Sequence, residues 1–300
     1  MAKSIFVLLI GNKERGETND YQLLQEETAL SEGKRQGAEV EVAFAPAFDQ
    51  LRVLRKRLLD APTRPLDAVV TEPASIATMD LILRDLKGRT GLVLLNAWGP
   101  SVEEHSRTWG SQPFGTISTD HTKIGEIQGR QISAMLPTGG NVLCVTGPQR
   151  SSPAQQRLAG ARSTVRAGIN LFDTEAGQWT EADGIGAFNG WYGIFKARTD
   201  VIHAVAAHND ELATGARNAA KALANPTHRD MFAKAKYLGV DASPRYGRKL
   251  VDSGGLTASI TTPPITGMAI EHLHSFWRDG RRIPLRAFTE ATPYPLGSAG

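Results

Sequence analysis

The sequence predicts an α/β protein built on a doubly wound parallel sheet. Short β-rich runs alternate with helical stretches along the whole chain, and most of those runs are apolar nearly throughout. Alternation of this kind is typical of parallel strands joined by right-handed helical crossovers. A length of 300 residues leaves room for two domains of ordinary size, each with its own core.

Most of the strand-like runs lack the alternation of apolar and polar residues that marks a half-exposed strand. A run that is apolar throughout indicates a strand covered on both faces. In chain order the runs are SIFVLLI, VEVAFA, LDAVVT, TGLVLLN, NVLCVTG, VIHAVAAH, AKYLGVD and LTASITT.

Amphipathic stretches separate the strands, and several of them begin with capping residues. We expect Asp120 and Asn209 to cap helices, and Ser152 with Pro153 to open another. The helical stretches are 20–36, 49–60, 122–136, 154–168, 209–224, 244–253 and 265–279.

Polar residues follow several strands directly. Asn96 follows LVLL, Asn209 and Asp210 follow AVAAH, and Asp241 follows YLGV. In open parallel sheets, ligands sit beyond the carboxyl ends of the strands. These residues are therefore candidates for a binding site.

Composition excludes several classes of protein. A net charge of +3 is small for this length and does not indicate nucleic-acid binding. Cys144 is the single cysteine, so the chain forms no intramolecular disulfide and no cysteine-based metal site, and its apolar run predicts a buried side chain. No segment reaches the roughly 18 apolar residues that a membrane span needs, so we expect no membrane insertion.

Catalytic and cofactor motifs are missing from the sequence. The seven histidines form no His-Glu-x-x-His pair, and neither a Gly-x-Ser-x-Gly elbow nor a phosphate-binding Gly-x-x-x-x-Gly-Lys loop is present. The expectation is a binding protein with no catalytic residues, no metal and no cofactor.

Four blocks carry a resemblance to a known family. One pairs Asn209 with Asp210 in an Ala-x-Asn-Asp-x-x-Ala-x-Gly-Ala pattern, and another contains a Gly-x-Asp-x-x-Pro turn at Asp241. The blocks are ISTDHTKIGEIQGRQI at 117–132, GPQRSSPAQQRLAGA at 147–161, AVAAHNDELATGARNAAKAL at 204–223 and LGVDASPRYGRKLVDSGGLTASITTPP at 238–264. Together they resemble the type I periplasmic sugar-binding proteins, a family that includes the effector domains of lac-repressor-type regulators.

The resemblance implies two Rossmann-like lobes joined by a three-crossing hinge, with crossings near 118, 263 and 283. The N-terminal lobe would comprise 1–118 plus 264–283, and the C-terminal lobe 119–263 plus 284–300. The ligand would lie in the cleft between the lobes and be held by hinge closure.

The resemblance also implies a set of ligand-binding residues that offer hydrogen bonds to hydroxyls or an aromatic face to a sugar ring. The set is Asn19, Asp20, Tyr21, Glu72, Asn96, Trp98, Asp120, Gln155, Arg157, Trp191, Asn209, Asp241 and Thr262.

Several members of this set have a structural alternative. Asp241 either contacts the ligand or forms an Asx turn, and Asn209 either contacts the ligand or caps a helix. Trp98 either stacks on a ring or packs in the core. Tyr21 either covers the ligand or packs beside a helix that Asp20 caps.

Other members of the set differ in residue type from the family at the same positions. The family's ligand-facing arginine lies two positions before Arg157, where this chain has Gln155, and Asn96 stands where aspartate followed by arginine is common. Glu72 replaces a common asparagine, and Thr262 a common glutamine. These departures argue against an anionic or ribose-type ligand. Core packing is the favoured role for Trp191.

The expected function is a solute-binding protein for a sugar or similar polyhydroxylated molecule, serving an ABC transporter permease in the periplasm. MAKSIFVLLIG shows no cleavage site and predicts a first strand, so an export signal would lie outside this chain. The alternative is a cytoplasmic ligand sensor that signals to a sensor protein. A first strand at residue 4 leaves no space for a DNA-reading helix-turn-helix before it.

Overall fold

A computed structural model describes residues 2–61, 63 and 66–299. The chain forms two compact units. The first comprises Met1–Thr119 and Pro264–Thr289, and the second comprises Asp120–Pro263 and Glu290–Gly300. The chain passes into the second unit for the last time after Thr289, later than the expected crossing near 283.

Each strand is short and pairs only with strands of its own unit. Their bounds are β1 Ser4–Ile10, β2 Glu39–Ala45, β3 Ala68–Thr71, β4 Gly91–Leu95, β5 Phe114–Thr119, β6 Gly140–Thr146, β7 Ile169–Glu175, β8 Ile202–Ala207, β9 Lys236–Leu238, β10 Ser259–Thr261, β11 Ala287–Thr289 and β12 Thr292–Tyr294.

The helices connect these strands. Their bounds are α1 Asp20–Gln36, α2 Gln50–Leu59, α3 Ile76–Leu86, α4 Pro100–Thr108, α5 His121–Met135, α6 Ser152–Thr164, α7 Glu181–Phe195, α8 Asp210–Lys221, α9 Pro226–Lys234, α10 Gly247–Asp252 and α11 Thr266–Asp279. No described helix is both long enough and apolar enough to cross a membrane.

The first unit contains a six-stranded parallel sheet in the order β11-β5-β4-β3-β1-β2. Alternate residues of β1 face opposite layers: Val7 packs with α11, and Phe6 and Leu8 pack with α3. The strand order reverses at β1, so the carboxyl ends of β1 and β3 border the crevice where such sheets bind ligands.

The second unit contains a four-stranded parallel sheet in the order β7-β6-β8-β9. Leu143 and Val145 pack on one face, and Val142 and Cys144 pack on the other. Cys144 is buried, which confirms the prediction for its side chain, and burial raises the pKa of its thiol to about 12.

One strand-like run pairs differently from the prediction. LTASITT yields β10, which pairs antiparallel with β12 in a separate two-stranded sheet. Tyr294 of β12 donates a hydrogen bond to Asp252 Oδ1 at 2.8 Å. β12 thus packs within the second unit.

Helix capping follows the sequence closely. The side chains of Asp120 and Asn209 accept from the backbone of α5 and α8 as predicted. The hydroxyl cap expected at Ser152 is wrong, because the helix begins at Ser152 and Ser151 makes no capping hydrogen bond.

Candidate functional site

A clamped carboxylate lies at the carboxyl end of β3. Glu72 follows this strand, and both of its oxygens accept from side-chain amides: Gln22 donates to Oε2 at 2.8 Å, and Asn96 donates to Oε1 at 3.0 Å. The carboxylate orientation is therefore fixed by α1 on one side and by the end of β4 on the other.

Two amide side chains hold the backbone beneath this carboxylate. Asn96 adopts φ 50°, and its Oδ1 accepts from Ser118 Oγ at 3.2 Å, which joins the ends of β4 and β5. The buried Gln50 donates to the Glu72 carbonyl at 2.7 Å and accepts from Ala74 N at 2.8 Å. Gln22 and Gln50 were missed by the sequence analysis, because a glutamine on an ordinary helix carries no distinguishing pattern.

The segment Asn19-Asp20-Tyr21 begins α1. Asn19 caps the helix by accepting from Gln22 N at 2.9 Å, so the capping role considered for Asp20 belongs to its neighbour. Tyr21 is largely buried in the first unit, which favours packing over the ligand-covering role. Asp20 lies in the first helical turn and is half-exposed.

Trp98 packs against the core layer that contains Phe6 and Leu8. The Arg286 guanidinium lies over its ring, 4.8 Å from the centroid. The indole of Trp98 is therefore in contact with the core and with a cation. These contacts favour packing over stacking on a ligand ring.

A buried histidine–arginine cluster lies at the carboxyl ends of β6 and β8. Arg157 donates to the His208 carbonyl, and Nδ1 of His208 accepts from Gly147 N at 3.2 Å. Burial, reinforced by the Arg157 charge, lowers the pKa of His208 to about 3 and that of His121 well below its usual value. Both imidazoles are therefore neutral at neutral pH, and Arg157 supplies the positive charge of the cluster.

Trp179 covers the same strand end. Its indole lies directly on Gly147, where a Cβ would overlap the ring, and the Arg157 guanidinium lies 5.5 Å from the ring centroid. The side chain is partly exposed. Trp179 presents an aromatic surface beside a cation, which suits a sugar ring with its hydroxyls.

Trp191, which the sequence analysis included, lies elsewhere. It stacks on Phe195 with centroids 4.3 Å apart and packs near Phe188. It lies about ten residues, and hence about 15 Å, beyond the start of α7. These contacts agree with the packing role that the sequence favours for Trp191. Trp179 lies in the loop between β7 and α7. Because the sequence did not predict β7, nothing marked this loop as the end of a strand.

Asn209 is buried and uses its side chain within the unit. Its Oδ1 accepts from Leu212 N at 2.8 Å, and its Nδ2 donates to the Trp179 carbonyl at 2.8 Å. The capping alternative is thus confirmed. Asn209 also holds the loop that carries Trp179, so it shapes this strand end even without touching a ligand.

Two carboxylates meet at the turn after β9. Asp210 accepts from Ser259 Oγ at 2.6 Å and from Ala242 N at 2.8 Å. It fits only because Gly239 and Gly247 lack a Cβ where its oxygens lie. Burial, together with the Asp241 charge, raises the pKa of Asp210 well above its usual value.

Asp241 is held beside that turn. Its Oδ1 accepts from Thr262 Oγ1 at 3.2 Å, and its amide donates to the Ile260 carbonyl at 2.9 Å. Its φ of 103° is a conformation that few L-residues adopt. The structure therefore places Asp241 and Thr262, two members of the expected ligand-binding set, in direct contact.

The two remaining predicted residues are exposed. Asp120 caps α5 by accepting from Lys123 N at 2.9 Å. Gln155 donates to the Gln149 carbonyl at 2.7 Å. Both side chains are on the surface of the second unit. Among the described residues, no group of three or more metal-ligating side chains is placed to hold an ion.

The chain belongs to the periplasmic binding protein family. The model of the periplasmic binding protein domain matches residues 106–269, which is more than half of the chain. No curated protein matches the sequence significantly. The resemblance to type I periplasmic sugar-binding proteins is confirmed in family and in fold.

Solved structures share the fold along nearly the full chain. A periplasmic solute-binding protein of an ABC transporter from Actinobacillus succinogenes 130z, with bound D-allose, is 17% identical with a TM-score of 0.80, covering 99% of each chain. A solute-binding protein from Bacillus halodurans C-125 with bound myo-inositol is 15% identical with a TM-score of 0.77, covering 99% of this chain and 96% of that one. The fructose-binding periplasmic domain of a hybrid two-component system is 20% identical with a TM-score of 0.78, covering 99% and 92%.

Proposed function

We propose that this chain is a solute-binding protein for a small, neutral, polyhydroxylated molecule such as a sugar or polyol. The observation that carries the proposal is that each unit presents an oriented carboxylate at its strand ends, Glu72 in the first and Asp241 in the second. Carboxylates are strong acceptors for hydroxyl donors. Each carboxylate is therefore a candidate acceptor for the hydroxyls of a solute.

The polar surroundings support a neutral ligand over an anionic one. His121 and His208 carry lowered pKa values and add no positive charge at neutral pH. Arg157 supplies one charge beside Trp179, against two carboxylates. A phosphorylated sugar would meet repulsion from Glu72 and Asp241, whereas hydroxyls would be accepted by both.

The proposal extends to the biological role of the chain. The solute receptor of an ABC-type importer, working in the periplasm and closing around its ligand, fits the family and the solutes named for two of the structural neighbours. No observation favours the cytoplasmic sensor. Fractionation of the native host tests the location: recovery in the cytosolic fraction would contradict the importer role.

A thermal-shift screen tests ligand binding. Pentoses, hexoses, polyols and their phosphorylated forms are each added to the purified protein, and we expect neutral members to raise the melting temperature. A ligand at one hundred times its dissociation constant stabilises the folded state by about 2.7 kcal/mol. A response confined to the phosphorylated forms would contradict the proposed ligand class.

A further inference from the structure

A small basic pocket lies in the second unit, away from the strand ends described above. It has a volume of about 260 Å³ and is lined by α8, α9, β9 and the turn before β10. Helix α8 starts at the carboxyl end of β8 and runs back along the sheet, so its last turns lie near the opposite edge. The pocket is therefore distinct from the proposed solute site.

Three cationic side chains converge on this pocket. Arg217 and Lys221 lie four residues apart on one face of α8, and Arg229 comes from α9. Like charges at this helical spacing repel one another. No residue lining the pocket is acidic, and no carboxylate in the described part of the chain pairs with any of the three.

The two arginines are held in place by backbone carbonyls. Arg229 Nη1 donates to the Leu223 carbonyl at 3.0 Å, and Arg217 Nη2 makes a longer hydrogen bond of 3.4 Å to the Gly254 carbonyl. Each contact uses one of the five N–H donors of a guanidinium. The remaining donors are available to a ligand, with less side-chain freedom to lose on binding.

The base of the pocket offers little competition for those donors. It is formed by the buried side chains of Phe232, Tyr237 and Leu256. The Tyr237 hydroxyl donates to the Phe232 carbonyl at 3.2 Å, and the Arg217 guanidinium lies 5.9 Å from the Tyr237 ring centroid. An apolar base strengthens the attraction between the cations above it and an anion.

We propose that this basic pocket binds a compact multivalent anion carrying phosphate or carboxylate groups. Guanidinium donors match the geometry of both groups, and the lysine adds a flexible point charge. An anion bound there would also relieve the repulsion between Arg217 and Lys221. The site does not depend on the solute-binding proposal, and it would take its ligand without the sugar.

Anion-dependent thermal shifts of the sugar-free protein test this site. Inorganic phosphate and citrate are titrated separately against chloride at equal ionic strength. We expect at least one of the two anions to raise the melting temperature saturably. Lys221→Gln and Arg229→Gln should each weaken its apparent affinity on the order of tenfold, the loss expected for one hydrogen bond to a charged group.

Lys234→Gln is the matched control. Lys234 is an exposed cation in the last turn of α9, as Lys221 is in the last turn of α8, but it lines a neighbouring groove instead. It should keep the parent response. If neither anion acts beyond chloride, or if Lys234→Gln loses as much affinity as Lys221→Gln and Arg229→Gln, the pocket is not an anion site. Sugar binding by these variants is expected to be unchanged, which separates this result from the proposed function.

Discussion

Asp241→Asn is expected to weaken solute binding by about tenfold to a hundredfold, the range for losing a charge-assisted hydrogen bond. Asparagine keeps the size of the side chain and tolerates the positive φ of this position better than most residues. It also retains an oxygen to accept from Thr262. The measurement is isothermal titration with the solute identified by thermal shift.

The same substitution should leave the fold intact. The Asp241 charge contributes to the raised pKa of the buried Asp210, so removing it lowers that pKa and relieves repulsion in the turn. We therefore expect a free energy of unfolding equal to or above that of the parent. Asp230→Asn, on an exposed carboxylate of α9, serves as the charge-matched control. Undiminished affinity in Asp241→Asn would remove Asp241 from the site.

Acid is expected to destabilise the protein through His208. The pKa of this buried imidazole falls from 6.5 to about 3 on folding, so the unfolded chain takes up the proton first. The contribution of His208 to the free energy of unfolding is fully present above pH 6.5 and is lost as the pH falls toward 3. The loss attributable to this residue is about 2 kcal/mol by pH 5 and approaches about 5 kcal/mol near pH 3.

Urea unfolding at pH 7, 6 and 5 measures this dependence. In His208→Asn the side-chain oxygen can still accept from Gly147 N, and the slope against pH should fall by about one proton. His121, whose pKa is also lowered by burial, accounts for part of the slope that remains. His203→Asn, on an exposed histidine of β8, the strand that ends just before His208, is the control. A parent stability that stays flat between pH 7 and pH 5 would contradict the buried, neutral state of His208.

The strongly apolar strands could be predicted from sequence, whereas the more polar β7 could not. β1, β3, β4, β6 and β8 form where continuous apolar runs occur. β7 was missed because INLFDTE contains four polar residues among seven, at a sheet edge where one side of the strand stays exposed.

The candidate site shows the same division. Glu72 and Asp241 could be proposed from the sequence because each directly follows an apolar run. Gln22 and Gln50 act through contacts across 50 and 22 residues of sequence, which no local pattern records. Trp179 was not proposed for a similar reason, since it lies in the loop after β7, a strand that the sequence did not predict.

Titration of one solute into Glu72→Gln and Asp241→Asn in parallel tests the central claim most directly. If Glu72 and Asp241 both take part in solute binding, each variant loses affinity while its melting temperature without ligand stays near that of the parent. A solute whose affinity responds to only one of the two substitutions would contradict the account, because the other carboxylate would then have no part in binding it.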